Sequence, residues 1–227
     1  MGILEPMSIL EPIPPTILAI ERIPNASPAI LQSYGADPQR HASLGLVTCD
    51  QDDSLYVALD EATKHADIDI VFARSFYAGA DHASGRLSGE ILGVVAGADP
   101  AQIDAALSAL AHCIDHDACF YAADNAATVA IFPHVVSSIG HYFARESGLA
   151  VGEPMAYLVA PPLEAGVAID CALKNTAVTA VKIVAPPTET NFAAAWLSGT
   201  LDACEAAACE FAESVVRTVA AHPARLR

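Results

Sequence analysis

Leu44-Gly45-Leu46-Val47-Thr48-Cys49 opens a stretch that runs without gaps to Lys64. Pro154-Met155-Ala156-Tyr157-Leu158-Val159 opens another of the same length that ends at Lys174. Asp60, Ala62 and Lys64 of the first fall on Asp170, Ala172 and Lys174 of the second, and further on Val71 falls on Val181. The chain therefore reads as an internal repeat with a period of about 110 residues, the signature of two related units in tandem. Upstream, Ile20 to Pro24 matches Val129 to Pro133. Downstream, Gly97-Ala98-Asp99 matches Gly199-Thr200-Leu201-Asp202. Identities are sparse, and the shared order of elements carries more weight than they do.

Each half predicts the same series. A strand (Thr16 to Pro24, or Thr128 to Pro133) leads to a short segment with a glycine near its end, Gly35 or Gly148. An apolar strand follows (Leu44 to Cys49, or Met155 to Ala160), then a helix (Leu55 to Ala66, or Gly166 to Thr176). A β-branched strand comes next (Ile68 to Ala73, or Val178 to Val184), then a loop and another strand (Glu90 to Ala96, or Phe192 to Leu197). A long helix closes each half. In the first, Asp99 suits the N-cap and Pro100 the first helical position, and Ile103, Ala106, Leu107, Leu110 and Ile114 recur on one face. In the second, Cys204, Ala208, Phe211 and Val215 do the same, and Pro223 stops the helix. The expected architecture is α+β, each half a mostly antiparallel sheet of about four strands with helices on one face.

The length, 227 residues, suits one large domain or two small ones. Acidic residues outnumber basic ones by 27 to 11, a net charge of −16. That excludes a basic face for nucleic acid and argues against an anionic membrane surface. Apolar residues make up 53% of the chain and mean hydropathy is +0.38, which excludes disorder and predicts large buried contacts between subunits. Met1-Gly2-Ile3-Leu4-Glu5-Pro6 has no basic segment and is broken by proline, so no signal peptide is expected. The six cysteines are expected to be reduced and the location cytoplasmic.

Catalytic signatures are scarce, with no phosphate loop, nucleophile elbow, His-Glu-x-x-His or Cys-x-x-Cys. No enzyme, cofactor or metal is expected. His112, Cys113, His116 and Cys119 have metal-like spacing, but they also end an amphipathic helix, where histidine suits the dipole and Cys113 the buried face. Asp50, Asp52 and Asp53 crowd the loop between strand and helix, with Glu164 in the matching loop. They read either as an acidic mouth for a polar or cationic ligand, or as a solvated turn in which Asp53 or Ser54 caps the next helix. Arg74 to Gly85 forms a long loop bearing glycine and aromatic residues, with Ala185 to Asn191 as its repeat partner. It reads as a movable flap or as a surface insertion.

Asp60-Glu61-Ala62-Thr63-Lys64, Arg74-Ser75-Phe76-Tyr77-Ala78-Gly79-Ala80, the run from Pro154 to Ala165 and Pro187-Thr188-Glu189-Thr190-Asn191 resemble the tandem-domain, L-type shell subunit of ethanolamine-utilising bacterial microcompartments. The resemblance runs from about residue 16 to residue 222, nearly the whole chain. It implies two circularly permuted, ferredoxin-like shell domains, over 16–117 and 118–227, after an extension over 1–15. It implies a homotrimer that mimics a hexamer and tiles with other shell proteins. Ser75, Phe76, Tyr77, Ala78, Gly79, Ala80, Thr188, Glu189 and Asn191 match its central-pore loops, and Asp52, Asp53, Phe120 and Thr190, with Glu164 beside them, match its small-pore site for an amino alcohol. The doubled Ile-Leu-Glu-Pro at Ile3 to Pro6 and Ile9 to Pro12 falls outside the resemblance. The competing reading is a soluble regulatory protein of tandem ferredoxin-like domains that binds a small molecule at its acidic loops.

Overall fold

The computed structural model describes residues 10–76, 87–124 and 127–221. Contacts divide these into two compact units. One holds residues 14–118 and 140–148, and the other holds 10–13, 119–139 and 149–221.

In the first unit, β2 (Ile17–Ile23), β3 (Ser43–Cys49), β4 (Ile68–Ser75) and β5 (Ile91–Gly97) form an antiparallel sheet in the order β2-β3-β5-β4. Helices α2 (Asp52–His65) and α3 (Pro100–His116) pack on each other and on the sheet. Asp99 accepts the backbone N–H groups of Ala101 and Gln102, with Pro100 at the first helical position. Ile103, Ala106, Leu107, Leu110 and Ile114 are buried as their spacing predicts. Helix α1 (Pro28–Ser33) is short, capped at Ser27 and closed by Gly35 at φ +84°.

Helix α4 (His141–Ser147) comes from the second half of the sequence and seats on α2 of this first unit. The Asp60 carboxylate, fully buried, accepts the N–H groups of Gly140 at 2.6 Å and Phe143 at 2.8 Å. Thr63 Oγ1 accepts the N–H of His141 at 2.9 Å. Burial raises the Asp60 pKa, and the two N–H groups pull it back. A methyl group on Gly140 would meet Thr63 Oγ1 and the Asp60 carbonyl, so only glycine permits this approach.

In the second unit the sheet order is β1-β6-β7-β8-β10-β9, with β1 (Glu11–Ile13), β6 (Phe120–Ala122), β7 (Ala130–Val136), β8 (Met155–Ala160), β9 (Thr179–Val184) and β10 (Ala193–Ser198). Helices α5 (Pro162–Asn175) and α6 (Leu201–Ala221) cover it. Ala165, Ala168 and Ala172 of α5 and Cys204, Ala208, Phe211 and Val215 of α6 lie in one core. The alanines among them leave room for the two helices to pack on one another.

Several expectations need correction. Strands β1 and β6 are additional to the four expected in that half, and β1 draws Glu11–Ile13 of the expected extension into the sheet. Strand β7 does not end at Pro133 but runs to Val136. Its ladder with β6 stops at Ile131, so the N–H that proline lacks is not needed on that side. The match of Ile20 with Val129 is also wrong. Ile20 pairs with Val47 and His134 with Tyr157, and Val47 and Tyr157 are repeat equivalents, so His134 is the counterpart of Ile20. Helix α2 begins at Asp52 rather than Leu55, and α5 at Pro162 rather than Gly166. Acidic side chains in a first turn suit the positive helix pole, and proline suits the first position. Pro223, the expected helix stop, lies outside the described residues.

Candidate functional site

The helix start just described reshapes the acidic mouth. Asp52 and Asp53 stand in the first turn of α2 rather than in a loop, and both are buried. Gln51 occupies the N-cap without a side-chain capping bond to the helix backbone, its Oε1 accepting the Ser54 hydroxyl at 2.8 Å, so neither Asp53 nor Ser54 plays the capping role. Asp52 Oδ1 accepts the Asp53 N–H at 2.9 Å, and its carboxylate also shares a hydrogen bond with the Ser75 side chain. Burial raises the Asp52 pKa above its ordinary 3.8, against the pull of these bonds. Asp50 lies on the strand side, where Oδ1 accepts the Thr16 N–H at 2.6 Å.

This cluster stands at the root of the long loop. Ser75 ends β4, and its N–H donates to Tyr56 Oη at 3.1 Å. The Phe76 N–H donates to the Glu90 carbonyl at 2.9 Å, and the Glu90 N–H to the Cys49 carbonyl at 2.8 Å. Burial raises the Glu90 pKa, and the negative charges of Asp52 and Asp50 raise it further. Tyr56, one turn after Asp52, is pushed up to about 12, chiefly by burial. Sequence reasoning missed Tyr56 and Glu90. The four-residue step from Asp52 to Tyr56 was the available signal for one, and nothing local marks the other. Tyr77, Ala78, Gly79 and Ala80 lie outside the described residues.

Phe120, Glu164 and Thr190 belong to the second unit. Glu164 is buried in the first turn of α5, not in a loop. Phe120 is buried in β6, its ring 4.9 Å from that of Phe132. Thr190 lies with Thr188, Glu189 and Asn191 on the connection from β9 to β10. There Thr188 Oγ1 donates to the Phe192 carbonyl at 2.9 Å, and Asn191 takes a φ of +60°.

Of the metal-like set, His112 and His116 stack at 4.3 Å on the exposed side of α3, while Cys113 is buried in its core-facing side. Burial pushes the Cys113 thiol up to about 12, where it is a poor ligand. Among the described residues no group of three His, Cys, Asp or Glu side chains is placed to hold a metal ion. No helix of the described residues is long and apolar enough to cross a membrane.

The arrangement suits attraction of a small cation rather than bond-breaking chemistry. Two adjacent buried carboxylates with a third nearby concentrate negative potential at one helix end, where reduced solvent strengthens its pull on an ammonium group.

Comparison with known proteins agrees with the fold. Residues 43–127 match the BMC domain family. A bacterial microcompartment shell protein, EutL of Clostridium perfringens, is 46% identical over 209 residues, covering 92% of this chain and 95% of its own. A crystal structure of EutL from Clostridium perfringens superposes with a TM-score of 0.90 at 45% identity, covering 94% of this chain and 96% of that one. The ethanolamine utilization protein EutL from Leptotrichia buccalis also reaches 0.90, at 40% identity, covering 94% and 98%.

Proposed function

The chain belongs to the EutL family of bacterial microcompartment shell proteins, and on that premise we propose that it forms a trimeric, pseudohexameric tile that admits small polar metabolites through gated pores. The family is one of structural shell proteins, not enzymes. The tile joins other shell proteins to enclose a compartment in the cytoplasm. One shell domain spans residues 16–117 and a second 118–227, with Glu11–Ile13 of the preceding segment paired onto the second. Ser75 to Ala80 and Thr188, Glu189 and Asn191 line the central pore. Asp52, Asp53, Phe120, Thr190 and Glu164 serve a smaller pore, and its solute is a small amino alcohol.

The observation that carries the solute class is the buried pair Asp52 and Asp53 at the start of α2, beside Ser75. An anionic mouth raises the local concentration of an ammonium-bearing solute and repels anions. An aromatic ring adds a cation–π contact of about 0.5–1 kcal/mol. Binding must stay weak, because a site that holds its solute tightly blocks its own channel.

The test is flux through assembled shells. Entry of a small amino alcohol is measured against that of an uncharged diol of equal size. With Asp52→Asn and Asp53→Asn together, the ratio of the two rates is expected to fall about tenfold, the lower end of electrostatic focusing. An unchanged ratio contradicts the assignment of these carboxylates.

A further inference from the structure

The last turns of α3 carry a histidine pair that the pore reading leaves unused. His112 and His116 are four residues apart, so both side chains leave the helix on one face, one turn from each other. Both are exposed, and their rings lie side by side with centroids 4.3 Å apart and planes at 27°. The ring of His116 is held in one orientation, with Nδ1 2.9 Å from the His112 carbonyl oxygen. A carbonyl oxygen can only accept, so Nδ1 carries the hydrogen, and the lone pair of the neutral ring is left on Nε2. Histidine ligands of metal ions are fixed in this way, one ring nitrogen donating to a carbonyl or carboxylate while the other binds the ion. The ring of His112 makes no hydrogen bond among the contacts described.

Two other histidines show the contrast. Both ring nitrogens of buried His41 are engaged, Nδ1 accepting the Asp37 N–H at 3.1 Å and Nε2 bonding to Asp69 at 3.0 Å. His65 is tied to Glu61 at 2.9 Å.

The surrounding charge favours a cation. Helix α3 contains no lysine or arginine, and the pair stands at its negative C-terminal pole. Asp115 and Asp117, both exposed, flank His116. Among the described residues no third histidine, cysteine or carboxylate completes a metal-holding group here, so water would fill the remaining positions. Nitrogen donors do not suit calcium or magnesium, which take oxygen. They suit copper(II), nickel(II) and zinc(II). Zinc–nitrogen bonds of about 2.0–2.1 Å bring two donor nitrogens to about 3 Å from each other. Exposed rings that already lie side by side reach that separation by side-chain rotation.

We propose that His112 and His116 chelate one divalent transition-metal ion and that the ion clamps the end of α3. That end is where the chain leaves for β6, with the N–H groups of Asp117 and Ala118 both donating to the Cys113 carbonyl, at 2.9 and 3.2 Å. The site uses none of the residues assigned to the pores, so it stands or falls apart from the transport reading.

The test is zinc binding to the untagged chain, measured by competition with a chromogenic chelator. His112→Ala and His116→Ala are each expected to weaken binding by at least about tenfold, because a chelate becomes a single ligand. His65→Ala and His141→Ala, at exposed histidines on other helices, should leave it unchanged. Both ligand positions are exposed, so the variants should keep the wild-type circular dichroism. Equal affinity in the pair variants and the controls overturns the proposal. If a variant fails to fold, footprinting of the unaltered protein with diethyl pyrocarbonate decides. Zinc should protect His112 and His116 from modification and leave His65 and His141 reactive. Protection of all four alike, or of neither member of the pair, overturns the proposal. With zinc bound, amide hydrogen exchange over residues 113–118 should slow, and an unchanged rate overturns the clamp.

Discussion

Replacing Asp60 with alanine is expected to destabilise the chain by about 3 kcal/mol. The Asp60 carboxylate accepts the N–H groups of Gly140 and Phe143, and all three residues are buried. Removing it leaves two buried donors unpaired, at about 1–3 kcal/mol each. Relief of the desolvation that raises the Asp60 pKa offsets part of this. For a chain of this size the loss corresponds to roughly 6–12 °C in melting temperature. Asp104, exposed and paired only with Arg22 among the contacts described, is the control. Its alanine variant should stay within about 0.5 kcal/mol of wild type. Thermal melts of the two variants side by side check the prediction, and equal effects contradict it. Hydrogen exchange should also show residues 140–148 opening first in the Asp60 variant, because this carboxylate holds their N-terminal turn.

Gly89→Ala is expected to cost at least about 3 kcal/mol and to disturb the root of the long loop. Gly89 has a φ of +67°, and a Cβ there would lie 2.5 Å from the Cys49 carbonyl oxygen. The left-handed conformation alone costs an alanine about 1–2 kcal/mol. The overlap falls on backbone, which cannot rotate away, and the same carbonyl receives the Glu90 N–H. Gly148→Ala separates the two effects. That glycine is also left-handed, at φ +77°, but has nothing within 4 Å of a built Cβ, so its variant should lose only about 1 kcal/mol. Chemical denaturation of both variants measures the difference, and equal losses contradict the close-approach argument.

Much of the fold was legible because the repeat and the helical spacing are local signals. Ile103 to Ile114 and Cys204 to Val215 bury the faces their spacing predicts. What was not legible depends on partners distant in the chain. The register of β7 is set by pairing with β8, and a shared proline at Pro24 and Pro133 pointed to the wrong match. Strands β1 and β6 are three residues each, β1 held by β6 and β6 by β1 and β7, pairings that no local pattern announces. Asp60 and Asp170 are repeat counterparts, each followed by alanine two residues on and lysine four residues on, yet one is buried beneath α4 and the other faces solvent. In the candidate site, the acidic residues were visible as a cluster, but their placement on α2 instead of before it was not. Their link to Tyr56, Ser75 and Glu90 arises only when β4 and β5 come together beside α2.

Electron microscopy of the purified chain tests the shell-tile account most directly. The account predicts particles of three chains, each chain 23.5 kDa, with a six-lobed outline and a central opening, packing edge to edge into flat sheets as concentration rises. Single-chain particles that never associate, at any concentration, would contradict it.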